Sequence, residues 1–296
     1  RQKYMKRFQL LPLLSALGLL ATACAGESDP EAKLDRFTSA ESFHVISNAG
    51  MARSGLSASV MDDVRYEFAF NDDDRIVTFT IRNFKVSPDE VPADYTFTDV
   101  PWVYSVGTPD VQRIIDAVAL TPATPVNAPH TFSDLHIVYY EPKKSSACEN
   151  RGVVATYTVD GAYTVRAYPY VVVGEGTTVS FNTSTGESRI CYSTTVSLDF
   201  DPHTLLAVMD VQGLLPDDNH RSMSFRIANV GLIFDDEGYR LSLPGTVAVD
   251  GATVSALEAT ANMADLLDLQ FVLTLDDGTA YNIECHLSPN LTPQSI

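Results

Sequence analysis

A chain of 296 residues with 20 Lys and Arg against 38 Asp and Glu carries a net charge of −18, and it shows no Lys/Arg cluster beyond residue 7. That balance argues against a nucleic-acid partner, because engaging a phosphate backbone takes clustered cations. A hydrophobic content of 45 % is enough for ordinary cores, which excludes disorder over most of the length, and the length allows two domains.

In chain order, Met5-Lys6-Arg7 is a short positive region, and Phe8 to Leu20 is an apolar run of 13 residues. A bilayer span takes about 20, so the run reads as the apolar part of a signal peptide over 5–23. Residues 1–4 precede Met5 and read as upstream read-through or an expression remnant. The run ends in "LLATACAG", where small residues flank Cys24. This pattern resembles a bacterial lipobox, with Ala21 where Leu is commonest. In that family the signal peptidase cuts before the cysteine, whose thiol then carries diacylglycerol and whose amine is acylated. The resemblance therefore implies a mature chain lipidated at Cys24 and anchored to a membrane. Simple secretion with a free Cys24 is the alternative.

Residues 24–37, containing "AGESDPEAKLDR", read as a flexible tether. The N-terminus is similar to lipoproteins of the Bacteroidales, in which acidic residues after the cysteine accompany export to the outer face. Glu27, Asp29 and Glu31 are a loose version of that patch. The location implied is the outer membrane, with the surface and periplasmic leaflets both open.

From Ser42 onward the chain reads as strands. "VRYEFAF" (64–70) and "RIVTFTIRNFKV" (75–86) alternate with period two around the turn cluster Asn71 to Asp74, which predicts a hairpin. Similar runs recur to residue 287, and Asp160-Gly161 and Asp277-Gly278 mark further hairpin turns. Two helices are expected. One is "VQRIIDAVAL" (111–120), opened by Thr108-Pro109-Asp110 with an N-cap candidate and a proline at the first position; the other is "SALEATANMADLLDL" (255–269).

A long repeat is also visible. Laying "RIVTFTIRNFKV" over "RSMSFRIANVGL" places Arg75 on Arg221, Phe79 on Phe225, Ile81 on Ile227 and Asn83 on Asn229, 146 residues apart. Each half then closes with a hairpin and a proline. The expectation is an all-β, mainly antiparallel chain of two similar sandwich or barrel-like domains, 38–170 and 171–296, in tandem. The motif order resembles the calycin-like (lipocalin-like) β-domain lipoproteins of the Bacteroidales. That resemblance implies no catalytic residue.

Chemistry is sparse. GxSxG, SxxK and HExxH are absent, and the six histidines (His44, His130, His136, His203, His220, His286) are scattered. Apart from Cys24, Cys148, Cys191 and Cys285 allow at most one disulfide, with no metal-ligand spacing. Acidic stretches at 71–74, 198–203 and 216–219 read as polar turns rather than calcium loops, because calcium needs six to eight converging oxygens. No cofactor or metal is expected.

Aromatic side chains stack on sugars and apolar ligands, so Trp102, Tyr139 and Tyr140 are the candidate ligand-binding face, against an alternative in which Trp102 plugs the core. The functional reading is a non-catalytic binding module for a small ligand, glycan or partner protein. The alternatives are a fimbrillin-like structural or adhesive subunit, with Arg53 in "MARSGL" as its cleavage candidate, and a hydrolase.

Overall fold

Period-two alternation of apolar and polar residues over 8–14 positions favours strands that bury one face, and the chain is built of such strands. The computed structural model describes residues 36–48, 58–104, 112–140, 152–234, 238–262 and 267–289. The signal-like segment, Cys24, Arg53, Thr108-Pro109-Asp110 and Cys148 lie outside these residues.

The first sheet comprises β1 (Arg36–Asn48), β2 (Ser59–Asn71), β3 (Ile76–Phe84), β4 (Ala93–Pro101), β5 (Val103–Tyr104), β6 (Gln112–Leu120), β7 (Phe132–Tyr140), β8 (Gly152–Val159) and β9 (Tyr163–Tyr168). Its order is β4-β3-β2-β1-β9-β8-β7-β6-β5, so the first and last strands, β1 and β9, are paired and, among the described residues, the sheet is open between β4 and β5. The Thr96–Thr124 bridge narrows that gap.

The second sheet is a closed barrel of β10 (Val171–Asn182), β11 (Ser188–Asp201), β12 (Leu206–Leu214), β13 (Met223–Phe234), β14 (Gly238–Val249), β15 (Ala252–Asn262), β16 (Leu267–Leu275) and β17 (Ala280–Pro289). Eight strands leave an interior that side chains can just fill. Here Leu198, Met209, Val211, Ile227, Val254 and Leu273 fill it. Large aromatics, among them Tyr66, Phe68, Phe79, Tyr95, Phe97 and Tyr157, fill the first sheet.

Among the described residues there is no helix. Where they are described, both expected helices are strands: 112–120 is β6, and 255–262 and 267–269 belong to β15 and β16. Residues 112–120 pair with β7 along their length. Three β-branched residues, Ile114, Ile115 and Val118, suit a pleated surface, and pairing overrides the start signals upstream. Over 255–262 the composition favours helix. The segment is nonetheless held between β14 and β16, with a register shift at Ser255/Glu258 and Ala256 at φ 49°.

The repeat is real in the strands but not at the expected offset. Residues 75–86 contain the third strand of the first sheet, whereas 221–232 lie in the fourth strand of the barrel. The correspondence runs instead at 130 residues. Phe79 faces Phe97 as Met209 faces Ile227, Ile81 faces Tyr95 as Val211 faces Phe225, and Val77 faces Val100 as Ala207 faces Val230. Register shifts fall at Val77/Phe79 and Ile81/Phe84 in one sheet and at Ala207/Met209 and Val211/Leu214 in the other. Left-handed residues match too: Arg75 with Leu205, Asn83 with Gly213, and Asp99 with Asn229.

The sheets meet at the β1/β9 seam. Ser42 to Ile46 are all buried, because β1 is covered on both faces. Ile46 points into the first sheet, while Phe43 and Val45 pack with the barrel core. The Phe43 ring lies 5.8 Å from Tyr168, 6.3 Å from Phe200 and 5.7 Å from Phe234. Beside it, the Phe200 amide donates to the Tyr170 carbonyl at 2.8 Å.

Candidate functional site

Beside this seam lies a cleft of about 640 Å³ lined by Glu41, Asp62, Asp63, Val64, Arg65, Asn83, Tyr170 and His203. Its floor is a β-bulge. Met61 and Val64 are both buried in β2 although three positions apart, because Asp62 and Asp63 together oppose the single residue Phe43 of β1. Asp63 takes φ 58°, and its amide donates to the Tyr170 hydroxyl at 3.2 Å. Asn83, at a second bulge with φ 62°, donates from Nδ2 to the Asp63 carbonyl at 3.1 Å. From the barrel, the β11–β12 turn brings His203 Nε2 to 2.7 Å from Asp62 Oδ2. Arg65 lies 4.0 Å from Glu41 and 4.0 Å from Glu67.

The cleft therefore presents three carboxylates against one arginine and one histidine, and its field favours cationic groups. Burial pushes the Tyr170 hydroxyl pKa up against the lowering effect of the Asp63 amide, and the carboxylates of Asp62, Asp63 and Glu41 add to the rise.

Trp102, Tyr139 and Tyr140 do not form an exposed face. Their exposures are 2 %, 3 % and 3 %. Trp102 closes the opposite end of the first sheet: its Nε1 donates to the Ile76 carbonyl at 3.1 Å, and the Arg75 and Arg113 guanidiniums stack over the ring at 4.9 and 5.1 Å. Tyr139 packs 5.2 Å from Phe68 and 5.5 Å from Phe70, with its hydroxyl 2.6 Å from Thr38 Oγ1. Tyr140 points to the other face of β7 and is buried there as well. The outer face of β7 is wet at His136, as a single-sided strand would be, but is covered at Val138 and Tyr140.

The three acidic stretches are self-capped turns. Asn71 Oδ1 accepts the amides of Asp73 and Asp74, Asp201 Oδ1 those of His203 and Thr204, and Asp217 Oδ1 those of Asn219 and His220. Among the described residues no three His, Cys, Asp or Glu side chains gather as a metal set.

Cys191 and Cys285 are free and buried. Burial pushes the Cys285 thiol up to about 11. In Cys191, bonds from Ser193, Thr194 and the Leu215 amide outweigh burial and lower it.

The cleft was missed at the sequence level. Its one signal was the broken alternation of "VMDDV" (60–64), where two acidic residues separate apolar ones.

The fold and cleft define a tandem β-barrel protein with a charged cleft at the seam. No protein-family model and no curated protein matches the chain. A candidate outer membrane protein from Bacteroides fragilis is similar at 10 % identity over 85 % of this chain and 96 % of that one, with a TM-score of 0.34. The isotype 1 transferrin-binding protein B of serogroup B Neisseria meningitidis is similar at 8 % identity over 78 % of this chain and 66 % of that one, with a TM-score of 0.24. Neither likeness is close enough to carry a function across.

Proposed function

We propose that the chain is a lipid-anchored protein of the bacterial outer membrane and acts as a non-catalytic binding module. The observation that supports binding is the cleft: both sheets fill their interiors with side chains, while residues from both line one charged recess. Its excess of carboxylates fits a ligand that presents a cationic group, such as an amine or a basic side chain. The anchor rests on "LLATACAG" and the acidic tether that follows it.

Two measurements test the halves separately. Metabolic labelling with a palmitate analogue marks the wild type and not Cys24→Ala; equal labelling of both removes the anchor. Titration with spermidine shifts the Asp62, Asp63 and Arg65 amide resonances of the wild type. A Glu41→Gln/Asp62→Asn variant responds less. Amides that stay unmoved in the wild type remove the cleft as a cation site and leave the anchor standing.

A further inference from the structure

His130 precedes β7 at the end of the first sheet opposite Trp102, and three segments converge on its ring. Nε2 lies 2.6 Å from Glu90 Oε1, in the loop between β3 and β4, and Nδ1 lies 2.7 Å from Asp160 Oδ2, in the β8–β9 turn. A neutral imidazole has one N–H and one lone pair, whereas ionised carboxylates only accept. Only the imidazolium can donate both bonds. Each carboxylate is itself tied to its own surroundings: Glu90 Oε2 accepts the Val86 amide at 2.8 Å, and Asp160 Oδ1 accepts the Thr131 amide at 2.8 Å. Beneath the ring, Phe84 meets it edge-on at 5.9 Å and Tyr95 lies at 6.0 Å.

The barrel joins the equivalent loop and turn with an imidazole carried by a different segment. Its loop between β12 and β13 carries His220, whose Nδ1 lies 2.7 Å from Asp217 and whose Nε2 lies 3.6 Å from Asp277, in the β16–β17 turn. In both sheets one imidazole thus joins the loop after the third strand to the last hairpin. The matching β2–β4 and β11–β13 registers make this the same end of each.

We propose that these histidines are proton-operated clasps: each holds its end loop closed while charged and releases it on losing the proton. The titratable groups facing His130 among the described residues are Glu90, Asp160 and the Tyr95 phenol; those facing His220 are Asp217, Asp277 and the Tyr281 phenol. The acidic groups in each set stabilise the imidazolium. At His130 burial opposes the charge, but the Asp160 and Glu90 bonds outweigh it, so the pKa is raised. At His220 the Asp217 bond leads against burial, in the same direction. The clasp is therefore complete below the ordinary histidine pKa of about 6.5 and is lost as the pH rises through the raised value.

Hydrogen exchange read by NMR, corrected for the intrinsic pH dependence, tests this in the full chain. Protection of the Val86 and Thr131 amides in the wild type is expected to fall about tenfold for each unit by which the pKa is raised, as His130 titrates. In His130→Gln it stays flat. Protection that is constant in the wild type, or that declines equally in His130→Gln, overturns the proposal. Glu90→Gln keeps the histidine and serves if His130→Gln fails to fold. The His130 Cε1–H midpoint then moves down toward 6.5, and a wild-type midpoint at or below about 6.5 also overturns the clasp.

Discussion

His44 lies wholly inside the first sheet, its Nε2 2.9 Å from the Tyr66 hydroxyl and 3.5 Å from that of Tyr157, and those hydroxyls are 3.2 Å apart. Burial pushes its pKa down to about 3. An unfolded chain takes up this proton near 6.5 and the folded one only near 3, so between those values falling pH favours unfolding. The expected cost is about 1.4 kcal/mol per pH unit from this group. Urea unfolding of the wild type and His44→Phe at pH 7, 6 and 5 isolates it as a difference in slope; equal slopes would mean the imidazole is charged in the fold. The clasp histidines act in the opposite sense, losing their contribution as the pH rises. Nothing in the local sequence separates the two kinds: His44 in "SFHVI" reads like any strand histidine, and its depth depends on strands far along the chain.

Strands approach closely where β10 passes β17. A Cβ at Gly176 would overlap the His286 carbonyl oxygen, backbone that a strand ladder holds in place. Gly176→Ala is therefore expected to cost about 1–3 kcal/mol, as overpacked sites do, with a matching fall in thermal midpoint. An unchanged midpoint would show that the register shift of β10 against β11 at Gly176/Thr178 absorbs the methyl. At this scale much was legible. Alternation located most strands, and Asp160-Gly161 and Asp277-Gly278 do turn the last hairpin of each sheet. The failures share a physical origin. Residues 112–120 follow a helix start signal and carry β-branched side chains, and the pairing that decides between them lies outside any local window. The repeat was misaligned because Asn83 and Asn229 are both left-handed bulge residues, at φ 62° and 59°, on successive rather than equivalent strands. Bulge chemistry writes the same short pattern wherever a bulge occurs. The cleft and the clasps were invisible for a further reason: each is assembled from bulges, loops and turns brought together only by closure of the sheets.

The described residues form one compact unit although they contain two sheets. The Phe43 cluster is the reason, since it places a ring of the first sheet among Phe200, Phe234 and Tyr168. A single calorimetric transition is expected for the wild type. Phe43→Ala, which removes about 3–5 kcal/mol of packing at the seam, is expected to split it in two. A variant that still melts in one transition would locate the coupling elsewhere. The placement of β1 also bears on mechanical load. A strand at the edge of a sheet can be peeled one rung at a time under a small force. A pull transmitted from the N-terminal side enters at Arg36, where β1 is bonded to β2 alone, and meets the β9 ladder and the buried stretch Ser42 to Ile46 only further along the strand. Such a pull first separates Arg36 to Ser42 from β2 alone and then has to shear two ladders and break the seam together, so the resistance rises once the load reaches Phe43.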